Sequence, residues 1–201
     1  MKKLWRVAAA LCIGHVVLVL AGFSLQKVPR LGDGDAAVGT AFGTGAAGRA
    51  YAGEYVAMTG FLVFLLLVPL LGRLLRGTGE ASRWFGAALT SIGATYVAVT
   101  LAAESAVTTA SLYDARHGTD LGVVAAINNV HNVADYIGTA TLGAFILTVA
   151  AAAFAGGALP RWLAWLSLPV GLLSLAGGAF PTGIMDIATL VWMAWFAVLA
   201  V

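Results

Sequence analysis

Six long runs of apolar residues, separated by short polar segments, dominate the pattern of this chain. Each run holds about 20 or more mostly apolar residues, enough for a helix to cross a hydrocarbon core about 30 Å thick. The pattern therefore predicts an all-α fold, a single polytopic domain of six transmembrane helices. The predicted helices cover residues about 4–25, 51–72, 84–108, 122–154, 160–179 and 182–201.

One polar face interrupts the fourth apolar run. In a helix, residues three, four and seven positions apart lie on the same side. Four polar side chains near the start of this run have that spacing: Asn128, His131, Asn132 and Asp135. Two amides, an imidazole and a carboxyl are costly in hydrocarbon, so we expect this face to turn toward the bundle interior, a water-filled cavity or a ligand.

Four acidic side chains are predicted to lie at one level of the bundle. Each stands near the same end of a different predicted helix: Glu54, Glu104, Asp135 and Asp186. Because chance would rarely place carboxyls from four helices at one depth, the sequence predicts that they meet around an outward-facing pocket. We take these acids and His131 as the candidate catalytic residues.

Aromatic and polar side chains accompany these acids on the predicted helix faces. The tyrosines follow helical spacing with the acids, the two amides share the face of Asp135, and one histidine lies about half-way down the first helix. The candidate substrate-binding residues are Tyr51, Tyr55, Tyr96, Asn128, Asn132 and His15. The deeper part of the pocket is predicted to be apolar, which favours a lipophilic small molecule as the ligand.

A structural interpretation stays open for each of these residues taken singly. A polar side chain one turn inside a helix end can extend to the lipid headgroups. Asn and His side chains in membrane bundles often bridge neighbouring helices. The convergence of the set, rather than any one residue, favours a functional site.

Composition and charge narrow the class of protein further. Of 201 residues, 61% are hydrophobic and 10% are charged, and the mean hydropathy of +0.94 excludes a soluble domain. The lipid bilayer is therefore a predicted partner. A formal net charge of +2, dispersed along the chain, does not indicate nucleic-acid binding. The chain has neither zinc-type Cys/His spacing nor a dinucleotide fingerprint, so we predict no metal and no cofactor.

The distribution of basic residues predicts the orientation. Seven of the eleven lysines and arginines fall in segments on the side of the N-terminus, which favours a cell-membrane protein with a cytoplasmic N-terminus. The outer loop at about residues 26–50 is glycine-rich and predicts a linker or a flexible flap. The segment 113–120 predicts a solvated turn. The sequence leaves open whether the chain forms a homo-oligomer.

Several features follow one another in a recognisable order along the chain: a basic first helix, a Gly/Asp-bearing outer loop, Gly53-Glu54 at the start of the second helix, the exit segment 69–75, the region of His131, and the connection 159–161. This order resembles a bacterial family of six-helix integral membrane proteins catalogued as domain of unknown function 4386. The resemblance spans nearly the whole chain and implies an integral membrane fold without implying an activity.

A second similarity concerns chemistry. One acid near the start of the second helix, Glu54, and one in the last helix, Asp186, are similar to the two acids of integral-membrane terpene cyclases. Those enzymes have seven helices, where the pattern here predicts six. The resemblance implies that Glu54 and Asp186 are catalytic acids.

Three functions are compatible with the predicted pocket. In an acid–base enzyme such as a cyclase or isomerase, Asp186 or Glu54 would protonate an alkene or epoxide and tyrosines would shield the developing cation. His131 with Asp135 would then take the proton back. In a proton-coupled transporter of a small molecule, the same groups would relay protons. In a non-catalytic binding protein they would hold a ligand, including haem bound through His15 and His131.

Overall fold

Seven α-helices make up the described part of the chain. In this computed structural model that part comprises residues 2–43, 45–118, 120–180 and 183–200, without the side chains of residues 114–116. The helices are α1 (Lys2–Leu25), α2 (Asp35–Phe42), α3 (Ala47–Leu74), α4 (Glu80–His117), α5 (Leu121–Gly156), α6 (Arg161–Ala179) and α7 (Gly183–Leu199). The predicted all-α helical bundle is confirmed. Residues 182 and 201 of the predicted last helix lie outside the described residues.

Five helices are long and apolar enough to cross a membrane: α1, α3, α4, α5 and α6. The apolar helix α7 has 17 residues, a length of about 25 Å at 1.5 Å per residue, which is the lower limit for a spanning helix. The chain is therefore a multi-pass membrane protein that contacts the lipid bilayer. The sixth crossing, through α7, stays a prediction.

The six long helices form a closed ring. Each packs against the next long helix along the chain, from α1 and α3 through to α6 and α7, and α7 returns to pack against α1. Short connections explain this antiparallel order from α3 to α7, whereas α1 and α3 are joined by a longer segment that contains α2. We call the end where α1, α4 and α6 finish and α3, α5 and α7 start the site end. The opposite end is the basic end; it carries Lys2, Lys3, Arg6, Arg73, Arg76, Arg83 and Arg161.

Aromatic rings fill the middle of the ring of helices. Phe64 of α3 is fully buried, and its ring centre lies 4.9 Å from that of His15, 5.3 Å from Tyr96, 5.2 Å from Phe145 and 5.4 Å from Phe196. These four partners come from four different helices. The contacts with Tyr96, Phe145 and Phe196 are edge-to-face, a geometry that stabilises a core beyond the burial of apolar area alone. The aromatic cluster therefore closes the bundle below the level of the acidic side chains.

Glycines allow the closest approaches between helices. A Cβ atom at Gly22 of α1 would lie 2.6 Å from the backbone nitrogen of Ala57 and 2.7 Å from the carbonyl oxygen of Gly53, both on α3. A Cβ atom at Gly143 of α5 would likewise lie 2.6 Å from the backbone nitrogen of Leu175 on α6. Small residues at such contacts are typical of membrane helices, whose association depends on close packing.

Local sequence signals define the helix that carries most of the candidate site. The carboxyl of Asp120 caps α5 by accepting a hydrogen bond from the backbone N–H of Gly122 at 2.9 Å. At the other end, Gly157 has a φ of 63°, the left-handed conformation that commonly ends a helix. The polar face of α5 thus lies two to four turns after the capped start of the helix.

The first outer loop differs from its prediction as a linker or flap. Residues 35–42 within it form α2, whose Val38, Ala41 and Phe42 are buried against Val107 of α4 and Val124 of α5. These three apolar residues have helical spacing, which is the signal that could have identified α2. The loop is therefore anchored to the bundle by a small apolar core of its own.

The second outer loop is also shorter than predicted. The sequence predicts a solvated turn over 113–120, but α4 continues to His117, and Gly118 ends it with a φ of 57°. The buried Ser111 donates to the carbonyl of Val107 at 2.9 Å in this last part of the helix. Helical structure persists past the apolar run because the helix still packs against α2 and α5 there.

Candidate functional site

Two glutamates from neighbouring helices form a buried carboxyl pair. Glu54 of α3 and Glu104 of α4 are both fully inaccessible to solvent, and their side chains lie within hydrogen-bonding reach of each other. Among the described residues, no group donates a hydrogen bond to any of the four carboxyl oxygens. The Thr108 hydroxyl also lies near the Glu54 carboxyl, but in this conformation it donates to the backbone carbonyl of Glu104 at 3.3 Å.

The missing donors have a chemical consequence for this carboxyl pair. An ionised carboxylate only accepts hydrogen bonds, so two ionised carboxylates in a buried contact repel each other and satisfy none of their oxygens. One proton shared between Glu54 and Glu104 would supply the donor and remove one charge. The geometry is that of an acid pair that can store a proton.

A histidine and an aspartate form a second pair on α5. His131 Nδ1 lies 3.0 Å from the backbone carbonyl oxygen of Ala103 on α4, and this oxygen can only accept, so Nδ1 carries a proton and donates. His131 Nε2 lies 3.2 Å from Asp135 Oδ2. The second contact is a hydrogen bond only if a proton lies between Nε2 and Oδ2. That proton is additional to the one already on Nδ1. Both ring nitrogens of His131 therefore have partners, which disfavours it as a haem ligand.

The two pairs belong to one cluster. Asp135 interacts electrostatically with both Glu54 and Glu104, and His131 interacts with Glu104. His131 is buried, whereas a quarter of the Asp135 side chain is exposed. Three of the four predicted acids thus lie together, and Asp135 is the member that reaches an open space.

That open space is a cavity of about 480 Å³ at the site end, between α1, α5 and α7. Its lining includes His131, Asp135 and Asp186 together with apolar side chains such as Leu20, Phe23 and Met193. A cavity of this size and composition suits a small lipophilic ligand held by few polar groups.

A second, narrower void continues from Asp135 into the bundle. It has a volume of about 50 Å³, and its lining includes Asp135, Tyr96, Thr100, Phe61 and Trp192. Its walls are largely aromatic. The carboxyl of Asp135 thus stands at the junction between the open cavity and an aromatic recess.

Asp186 lies apart from the buried acids. Its Oδ2 atom accepts a hydrogen bond from the Arg30 guanidinium at 2.9 Å, and the two side chains are 58% and 75% exposed. Asp186 stands in the first turn of α7, where the segment after α1 passes over the end of the bundle. Asp186 therefore lines the same cavity as Asp135, at its mouth, but lies apart from the buried Glu54–Glu104 pair.

We expect Asp186→Asn to change the free energy of unfolding by less than about 1 kcal/mol, because exposed ion pairs contribute little. Chemical unfolding of the purified protein in detergent would measure the change. A double-mutant cycle with Arg30→Gln isolates the interaction between the two side chains. A coupling energy above about 2 kcal/mol would show that this ion pair is shielded from water, contrary to its exposure.

The two asparagines of the polar face hold a backbone segment. Asn128 Nδ2 donates to the carbonyl oxygen of Pro29 at 3.0 Å, and Asn132 Nδ2 donates to the same oxygen at 3.1 Å. Asn132 Nδ2 also lies 2.9 Å from the carbonyl oxygen of Asn128. Both amides, predicted to bind substrate, thus fix the segment after α1 over the mouth of the cavity. Sequence reasoning missed Pro29 and Arg30, because nothing in a loop sequence indicates which helix it will contact.

The predicted aromatic residues divide between the surface and the core. Tyr51 and Tyr55 contact each other with tilted rings whose centres lie 5.7 Å apart, and they are 38% and 61% exposed on α3, outside the cavity. Tyr96 is 4% exposed and lines the aromatic recess. Of the three tyrosines, the structure brings only Tyr96 to the acid cluster.

His15 lies deeper, inside the aromatic cluster. The rings of Phe61, Phe64, Trp192 and Phe196 surround it with centre-to-centre distances of 4.9–5.8 Å. Its Nδ1 donates to the carbonyl oxygen of Gly60 at 2.9 Å, and its Nε2 has no hydrogen-bond partner among the described residues. His15 therefore lies beneath the cavity without lining it.

Comparisons with protein-family models, with curated proteins and with solved structures found no match to this chain. The resemblances to a six-helix family and to terpene cyclases therefore stay predictions. Within the described residues, no three His, Cys, Asp or Glu side chains converge in a way that could hold a metal ion. The interpretation of the site thus depends on its own geometry.

Proposed function

We propose that this chain is a membrane-embedded enzyme that uses acid–base chemistry to isomerise or cyclise a lipophilic small molecule, such as a terpenoid. The observation that carries the proposal is the position of Asp135. Its carboxyl contacts His131, interacts with the buried Glu54–Glu104 pair, and borders both an apolar cavity and an aromatic recess.

The reaction we propose starts with a proton held between His131 and Asp135. Its transfer to a substrate alkene or epoxide creates a cation, and a neighbouring carbon later loses a proton to the same pair. The number of protons on the enzyme is then unchanged, as an isomerisation requires. Tyr96, Phe61 and Trp192 around the recess present aromatic rings that stabilise a cation by its attraction to their π faces.

The roles of the acids differ from those first predicted. Asp135 and His131 are the candidate catalytic residues because they line the cavity that would hold the substrate. Glu54 and Glu104 do not line it, so we assign them a supporting role: their shared proton keeps the negative charge of the cluster low. Asp186 would bind or orient the ligand at the mouth rather than protonate it.

The topology that accompanies this proposal has six crossings, with α7 as the sixth, and a cytoplasmic N-terminus. It is supported by the excess of basic residues at the basic end. The cavity at the site end would then open toward the outer leaflet, from which a lipophilic substrate can enter.

A direct test uses membranes that contain the full chain, incubated with a lipid extract rich in isoprenoids. Isomerisation and cyclisation leave the molecular mass unchanged, so product would appear as a compound of the same mass with a new chromatographic retention time. We expect such a compound only with membranes that contain the protein. Identical chromatograms with and without the protein, across extracts containing linear terpenoids and their epoxides, would count against the enzyme.

Proton-coupled transport of a small molecule is the second candidate function. It is favoured by one specific feature, the placement of Glu54 and Glu104 away from the cavity and behind Asp135, as in a proton relay. Transport needs access from both sides, and the aromatic cluster around Phe64 closes the bundle beneath the acids. Proteoliposomes containing a pH-sensitive dye would distinguish the two: solute-dependent acidification without a chemical product would indicate a transporter.

A further inference from the structure

A second large cavity lies at the basic end of the bundle, at the opposite end of the helices from the acid cluster. Its volume is about 530 Å³. It lies between the start of α1, the connection into α6, and the last turns of α7. Its lining includes Trp5, Arg6, Ala9, Trp162, Leu163 and Leu199.

The packing of the helices explains why this cavity exists. In the described part of the chain the backbones of α1 and α6 do not approach each other closely, although each packs against α7. The gap between them is therefore bridged only by α7, whose partly exposed C-terminal side chains leave a concave apolar surface. Leu163 and Leu199 are mostly buried in this surface, whereas the Trp162 ring is 58% exposed at its edge.

One charged group faces this otherwise apolar lining. Arg6 is exposed, and the only ion pairs among the described residues join Arg30 to Asp186 and His131 to Asp135, so Arg6 pairs with no described acid. Positive charge is added by Lys2 and Lys3 in the first turn of α1 and by Arg161 at the start of α6. Trp5 and Trp162 stand beside Arg6, and tryptophan is the residue typical of the membrane–water boundary.

We propose that this cavity binds a phospholipid with an anionic headgroup. The acyl chain would lie along Ala9, Leu163 and Leu199, and the phosphate would accept hydrogen bonds from the Arg6 guanidinium, whose planar fork matches phosphate oxygens. Two features select this occupant. The cavity combines an apolar floor with a cationic rim at one membrane boundary, and its volume is that of a small-molecule site rather than of a helix-binding groove.

The test measures binding of phosphatidylglycerol and of phosphatidylcholine to the purified full chain by native mass spectrometry in detergent. We expect wild-type protein to prefer phosphatidylglycerol roughly five- to ten-fold, because one basic side chain at the surface contributes about that factor. Arg6→Gln should lose most of this preference. Arg83→Gln is the matched control: it removes the same charge from the same end of the bundle, but on α4, away from the cavity.

A second variant tests the apolar part of the site. Ala9→Phe places a large side chain inside the cavity and should weaken binding of both lipids, while leaving Arg6 in place. The proposal is overturned if Arg6→Gln and Arg83→Gln reduce the preference equally, or if Ala9→Phe leaves lipid binding unchanged. It is also overturned if inorganic phosphate displaces phosphatidylglycerol completely, because the site would then recognise a free anion and not a lipid.

Discussion

Asp135→Asn is expected to lower product formation by at least about 100-fold, the smaller end of the contribution of a general acid or base. The amide preserves the shape of the side chain but cannot exchange a proton with His131 or with a substrate. Product formed by membranes containing equal amounts of folded protein would measure the effect. Asp135 is the most sensitive position because it is the acid that both contacts His131 and borders the cavity.

Asp186→Asn is the control for this prediction. Both acids line the same cavity, but Asp186 is paired with Arg30 in water and lies outside the buried cluster. We expect this variant to keep product formation within about ten-fold of wild type, with any loss coming from weaker substrate binding and not from a slower chemical step. If Asp186→Asn abolished the reaction while Asp135→Asn did not, the resemblance to terpene cyclases would identify the acid correctly and our assignment would be wrong.

Gly22→Ala is expected to destabilise the bundle by about 3 kcal/mol, at the upper part of the range for overpacked interiors. The added Cβ atom would lie 2.6 Å from a backbone nitrogen and 2.7 Å from a backbone oxygen of α3. Backbone atoms cannot rotate away as side chains do, so α1 and α3 must separate. Thermal unfolding in detergent would show the loss as a lower apparent Tm.

Gly14→Ala provides a matched control on the same helix. A Cβ atom at Gly14 would meet only Val63 Cγ1 at 3.7 Å, an ordinary contact. We expect its apparent Tm to equal or exceed that of wild type, since alanine favours a helix over glycine by up to about 1 kcal/mol. Equal losses from the two substitutions would mean that the close approach of α1 and α3 does not hold the bundle together.

The helices were predictable because each apolar run has about the length that a helix needs to cross a membrane. All six predicted segments correspond to observed helices; their ends differ by at most four residues, except that α4 continues nine residues past its predicted end. The short helix α2 was not predicted. Its eight residues lie in a loop rich in glycine, where composition suggested a linker and the spacing of Val38, Ala41 and Phe42 is the only opposing signal.

The candidate site was predictable in part. Helical spacing predicted that the polar face of α5 points toward the interior, as observed. The positions of Glu54, Glu104 and Asp135 along their helices predicted that they lie at one level, and they do. Depth alone does not give direction around a helix axis. For that reason Tyr55, one residue after Glu54, was expected in the cavity but lies on the exposed side of α3.

The remaining contacts join residues far apart in the chain, and a single sequence does not reveal which of them will meet. The shared use of the Pro29 carbonyl by Asn128 and Asn132, and the pairing of Arg30 with Asp186, join positions about 100 and 156 residues apart. Asn128 and Asn132 are therefore predicted ligand-binding residues whose observed partners are protein backbone.

The acid–base cluster around Asp135 depends on a proton that resides in the buried Glu54–Glu104 pair. Infrared spectroscopy of the purified full chain, in H₂O and in D₂O, tests it most directly, because a protonated carboxyl has a carbonyl band distinct from that of a carboxylate. We predict such a band in wild type, a shift of that band in D₂O, and a marked loss of its intensity in the Glu54→Gln/Glu104→Gln double variant. Absence of the band in wild type, or equal intensity in the double variant, would contradict the account.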